Sequence, residues 1–126
     1  MSRGQYPSTR MRRNRMQAFS RRLVSENRLS TDDLIWPLFV IEGENQTEAV
    51  DAMPGVSRHS IDRLLEQAHQ AVELSIPAIA IFPSIDVSLK DLSGSLAQDG
   101  DNLVCRAARA LKSAYPDLGI VCDVAL

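Results

Sequence analysis

Leu34-Ile35-Trp36-Pro37-Leu38-Phe39-Val40-Ile41 is an unbroken apolar run of strand length, and its character recurs twice further along the chain. The later runs are Ala78-Ile79-Ala80-Ile81-Phe82 and Ile120-Val121-Cys122-Asp123-Val124-Ala125-Leu126, the latter opened by Gly119. A run without polar alternation suits a strand buried on both faces, as in a parallel sheet. Pro37 predicts a local irregularity in the first, because proline lacks the N–H a strand ladder uses.

Helical patterns separate these runs. Glu42 to Gln46 reads as a polar loop, and Met53-Pro54-Gly55-Val56 as a turn in which glycine permits a positive φ. Ser60 stands as an N-cap, with Arg63 where a capping-box glutamate would sit. Ile61, Leu64, Leu65, Ala68, Ala71, Val72 and Leu74 then recur at helical spacing, and Pro77 closes the helix. Ser84 to Gly100 is a polar connection of a length that is uncommon in a compact domain unless it is functional. Asp101 or Asn102 can cap a second helix whose apolar face is Leu103, Val104, Ala107, Ala108, Leu111 and Ala114. Pro116 and Gly119 end it.

The order strand, helix, strand, helix, strand specifies an α/β fold with parallel strands and right-handed crossovers. Two architectures meet it: an open doubly wound sheet and a (β/α)8 barrel. The first usually binds phosphates on a Gly-rich turn after its first strand. Here that turn is Glu42-Gly43-Glu44-Asn45, without a Gly-x-Gly pattern. A barrel needs roughly 250 residues, so this 126-residue chain would hold about three of the eight strands. The expectation is strands near 34–41, 78–82 and 119–126, and helices near 60–75 and 102–115. The chain stops on apolar Val124-Ala125-Leu126, which reads as one piece of a longer protein.

Ahead of this body lies an arm, residues 1–30. It holds eight arginines and one acid, Glu26, a balance of +7, whereas the remainder holds six basic and 15 acidic residues, a balance of −9. An extended basic arm that docks on an acidic neighbouring subunit outweighs a nucleic-acid arm, since stacking aromatics are sparse (Tyr6, Phe19) and no DNA-binding module follows. Met16, Phe19, Leu23 and Val24 predict a short helix from Met16 to Arg28. No apolar run approaches the roughly 20 residues of a membrane helix. Arg-rich composition fits a transit peptide only loosely. Two cysteines without metal-site spacing predict a reduced, cytoplasmic protein.

Several stretches, taken in order, resemble the porphobilinogen synthase (δ-aminolevulinic acid dehydratase) family. They are Arg12-Arg13 to Leu23-Val24, Asp33 to Val40 with Glu42-Gly43, and Met53-Pro54-Gly55-Val56-Ser57-Arg58. Phe82-Pro83, Lys90-Asp91, Gly94, Arg106-Ala107, Pro116 and Asp123-Val124-Ala125-Leu126 continue the register. No single piece is diagnostic; the ordered set is specific.

The resemblance implies a (β/α)8 barrel behind an arm that embraces a neighbouring subunit, in a homo-octamer. It implies a hydro-lyase that condenses two 5-aminolevulinate molecules to porphobilinogen in tetrapyrrole (haem) biosynthesis. The family's Schiff-base lysines and substrate-carboxylate contacts fall beyond Leu126, so the 126-residue piece alone is expected to be inactive and poorly stable. Asp123 matches the family's aspartate at the end of the third strand, beside the proton-transfer chemistry. Barrel catalytic groups do sit at C-terminal strand ends, although a buried structural carboxylate is the rival reading. Zinc-dependent members carry cysteine where this chain has Ala125. The resemblance therefore implies the branch without the three-cysteine zinc site, often magnesium-stimulated, with no organic cofactor.

Other conspicuous residues have plainer readings. Cys122 should face away from Asp123 as a packed thiol, and Cys105 should be inert on a helix. His69 should be exposed and His59 a loop residue. Lys90 in a polar loop lacks the desolvated pocket a Schiff-base lysine needs. Asp86, Asp91, Asp99 and Asp101 should belong to a solvated loop, not a cation site. The alternative functions are a non-enzymatic basic-armed binding or assembly module, and another barrel Schiff-base lyase or aldolase.

Overall fold

The computed structural model describes residues 4–123. The predicted strands are present as β1 (Ile35–Val40), β4 (Ala78–Pro83) and β5 (Gly119–Cys122). The part of the third expected strand that covers residues 124–126, Ala125 included, lies outside the described residues. Two strands that the sequence was not expected to hold, β2 (Thr47–Ala49) and β3 (Ser57–His59), complete a five-stranded sheet in the order β2-β3-β1-β4-β5. The segment read as loop and turn is thus a hairpin, with β2 antiparallel to β3; β3, β4 and β5 are linked in parallel around β1. His59, expected in a loop, ends β3 opposite Val40. Glu48 and Arg58 face each other across the hairpin and form an ion pair at 2.7 Å, the kind of cross-strand pair that steadies short strands.

Pro37 occupies a position that does not ask for its missing N–H. Val40 accepts from Ser84 on the β4 side, and Ile41 donates to His59 on the β3 side. Alternate residues of a parallel strand address opposite neighbours, so Pro37, like Phe39 and Ile41, turns its backbone toward β3. That strand first pairs with β1 at Phe39. The predicted irregularity is therefore an unpaired stretch of strand edge, not a bulge.

Helices α3 (Ile61–Glu73) and α5 (Leu103–Ala114) cover one face of the sheet. Their apolar stripes supply Leu64, Ala68, Ala71, Leu103, Ala107 and Leu111, which pack on Leu38, Val40, Ile79 and Ile81. β5 approaches β4 closely at Gly119, where a Cβ would meet that of Ala78 at 3.0 Å. The other face carries Ile35, Pro37 and Phe39 beside Ala78, Ala80 and Phe82. Two apolar faces on parallel strands are what a barrel wall requires, with helices outside and packed side chains within.

The arm differs from expectation. In place of one helix from Met16 to Arg28 there are two short ones, α1 (Arg13–Met16) and α2 (Ala18–Leu23), broken at extended Gln17. Neither buries a residue, and short helices without packing are marginal in water. The Ser20 hydroxyl donates to Asn14 and Gln17 carbonyls, and Arg21 to those of Arg15 and Met16, which satisfies the break locally. No described helix is long and apolar enough to cross a membrane.

Ser60 is the N-cap residue of α3, but its hydroxyl does not cap the helix. It accepts from the Gln46 N–H at 2.9 Å and donates to Asp62 at 2.6 Å. Asp62 in turn accepts from the Asn45 N–H with both oxygens. This fully buried serine therefore serves the loop after β1. Replacing it by alanine leaves the Gln46 N–H without its side-chain acceptor. The expected cost of Ser60→Ala in the intact protein is about 1–3 kcal/mol, read by denaturant unfolding; a change within about 0.5 kcal/mol, typical of surface sites, would contradict the assignment.

Candidate active site

The C-terminal ends of the parallel strands converge on one rim. Ile41 and Glu42 follow β1, Ser84 follows β4, and Asp123 follows β5. Phe39 and Phe82 are paired neighbours on the face turned away from the helices, their ring centroids 5.9 Å apart at 41°. β4 and β5 pair up to Ile81 with Cys122. One residue further, the same register sets Asp123 beside Phe82. The carboxylate thus follows two aromatic rings along the strand ends, and its residue is exposed to solvent.

Beside these strand ends, toward α5, a cavity of about 370 Å³ opens; Phe82, Asp123, Lys90, Cys105 and Ala108 border it, and Phe39 does not. Its outer wall is the long connection after β4. That segment is more ordered than a plain polar loop: a 3-10 turn (Val87–Leu89) and a one-turn helix, α4 (Ser95–Gln98), interrupt it. Its acids serve as turn anchors. Asp91 accepts from the hydroxyls and the backbone N–H groups of Ser95 and Ser93. Those bonds, the Ser95 hydroxyl foremost, hold its carboxyl well below the usual range. Asp86 accepts from the Ser88 N–H and is lowered by it. Asp99 accepts from the Asp101 N–H, and Asp101 pairs with Arg109. Among the described residues, no three His, Cys, Asp or Glu side chains converge as a metal site.

Lys90 is exposed, beside the cavity but not enclosed by it. Cys122 is exposed at the sheet edge, not packed as expected, because only β4 flanks it among the described strands. It borders the same cavity as Asp123, and partial burial together with Cys105 pushes its thiol up. Cys105 lies in the first turn of α5, its N–H bonded to the Asn102 cap. His69 is exposed and stacks on Tyr115. His59 is half-buried near Thr47; burial pushes its imidazole down, partly countered by Glu66.

Sequence reasoning missed the links that fix the rim. Arg106 of α5 pairs with Glu42, 64 residues earlier, and its Nε donates to the Asp101 carbonyl at 3.0 Å. Arg63 donates to the Asn45 side chain, and Asp62 is held below the ordinary carboxylate range chiefly by the Ser60 hydroxyl. Long-range pairs of this kind have no local signature.

The family model described as delta-aminolevulinic acid dehydratase matches residues 8–126. The chain belongs to that family. A dehydratase from Bradyrhizobium diazoefficiens is 53% identical over 93% of this chain, and one from Chlamydia pneumoniae is 40% identical over 94% of it. These alignments take in 33% and 36% of the relatives, so the chain spans about a third of the length of the curated dehydratases it matches. A crystal structure of the Toxoplasma gondii dehydratase (porphobilinogen synthase) with its reaction product porphobilinogen superposes with a TM-score of 0.85. It is 40% identical and is matched over 94% of this chain and 33% of its own. The sheet and its two covering helices are thus one third of a dehydratase barrel, and the rim at Asp123 is that barrel's C-terminal rim.

Proposed function

We propose that the intact protein carrying this chain is a porphobilinogen synthase: a hydro-lyase that joins two 5-aminolevulinate molecules, releases two waters and forms porphobilinogen. The observation that carries this reading is the superposition, at 40% identity, on a dehydratase structure that holds porphobilinogen. The strand-end chemistry supports it. Asp123 extends the register of Phe39 and Phe82 at a barrel's C-terminal rim, where barrel enzymes place their reacting groups.

In this proposal Asp123 moves a proton at the substrate amine. A carboxylate open to solvent on one side and bounded by an aromatic wall on the other can bind an ammonium and accept its proton as the ring closes. The Schiff-base lysines come from later strands, since Lys90 lies exposed in its loop. The metal reading rests on sequence alone. The Ala125 side chain offers no ligating atom, so the protein belongs with members that lack the three-thiolate zinc site, a branch often stimulated by magnesium. No step is routed through a metal. The +7 arm complements the −9 body of a second copy, which supports arm docking between subunits; the octamer follows from the family resemblance, and the cytoplasmic location from two cysteines without metal-site spacing.

The test is direct. Purified intact protein given 5-aminolevulinate should release porphobilinogen, detected as the pyrrole. Absence of pyrrole with zinc, with magnesium and with neither would overturn the proposal.

A further inference from the structure

The connection after β4 is a partition between two cavities. Ile85, Leu89, Leu96 and Asn102 border the cavity that contains Asp123, and the same four residues border a second cavity of about 470 Å³ that contains Glu42 and Arg106. Where this partition sits therefore sets the shape of the Asp123 cavity. Two arginines one turn apart on α5 hold its C-terminal end. Arg106 donates to the Asp101 carbonyl and pairs with Glu42, while Arg109 donates to the Gly100 carbonyl and pairs with the Asp101 carboxylate. Of the two, only Arg106 reaches across to the loop after β1. That loop is itself fastened at Asn45 and Gln46 by Asp62 and Ser60. Arg106 thus joins the long connection to a segment already fixed to α3.

We propose that Arg106, with Glu42, is a positioning residue: it sets the wall of the Asp123 cavity from the far side of the partition and touches no substrate. The inference rests on the reading of the Asp123 rim, which this cavity borders, as the synthase active site. A guanidinium suits the task because its planar fork serves a carboxylate and a carbonyl at once, which an ammonium on a flexible stem does poorly. As a surface ion pair it adds little to global stability, so its effect should appear in geometry.

The test uses the intact protein with Arg106→Ala, Arg106→Lys, Glu42→Gln and the Arg106→Ala/Glu42→Gln double variant. Amide hydrogen exchange at residues 99–102 should accelerate about twofold to fivefold in Arg106→Ala while α3 keeps its protection. In the porphobilinogen assay, kcat/KM per folded enzyme should fall by about twofold to fivefold in Arg106→Ala and in Glu42→Gln, with less loss in Arg106→Lys. The double variant should be no worse than Arg106→Ala, as for two ends of one link. Unchanged exchange at 99–102 would overturn the clamp. Unchanged kcat/KM, or losses that multiply in the double variant, would overturn its positioning role. If the wild-type protein makes no porphobilinogen, the synthase reading fails and this role with it, while the exchange data still decide whether the clamp exists.

Discussion

Asp123→Asn in the intact protein is expected to lower the proposed synthase kcat by about 10²–10⁴, the range a positioned proton-transfer group contributes. That corresponds to roughly 3–5 kcal/mol of transition-state stabilisation. Asparagine keeps the size and hydrogen-bonding reach of the side chain but cannot take a proton. Asp123 is exposed at a strand end, so the substitution removes no core packing. The unfolding midpoint should therefore stay within the small range of surface changes. The rival reading of Asp123 as a buried structural carboxylate predicts the reverse: a large loss of stability and near-normal turnover by the protein that folds. Measuring kcat and the unfolding midpoint on one preparation separates the two.

The largest stability effect should come from Leu64→Ala. Leu64 is fully buried on α3 and belongs to the cluster that joins α3 and α5 to Val40, Ile79 and Ile81. Truncation removes buried methyl groups and leaves a cavity that β1 and β4, fixed in register, cannot fill. About 2–5 kcal/mol is expected, read from chemical unfolding of the intact protein. Leu92→Ala is the control, since Leu92 is fully exposed on the connection after β4, and it should change stability by less than about 0.5 kcal/mol. Equal effects from the two would show that α3 does not pack as described.

The elements that carry this core were legible because each bears its own periodicity. β1, β4 and β5 are continuous apolar runs, and α3 and α5 show stripes at helical spacing closed by Pro77 and Pro116. β2 and β3 were not legible. Each has three residues with no apolar alternation, and they are held by register with a neighbour, by the Glu48–Arg58 pair and by the end of β1. Reading the arm as one helix failed for the opposite reason: its apolar residues have helical spacing but nothing beneath them to bury against. Ser60 was correctly placed at a helix start, yet its hydroxyl is taken by Gln46 and Asp62, partners set by the fold. At the site, Asp123 was legible as a charged residue within an apolar strand. Its relation to Phe39 and Phe82, and the Arg106–Glu42 link behind it, depend on strand register and on contacts between distant segments.

Under the proposed synthase function, 5-aminolevulinate reacts at the rim formed by the ends of β1, β4 and β5. A crystal structure of the intact protein with porphobilinogen tests it most directly. The pyrrole is expected at that rim, on the Phe39–Phe82 side of the sheet, with its amine within about 2.6–3.2 Å of an Asp123 carboxylate oxygen or one water away. Product bound elsewhere, with Asp123 out of reach of the ligand, would contradict it.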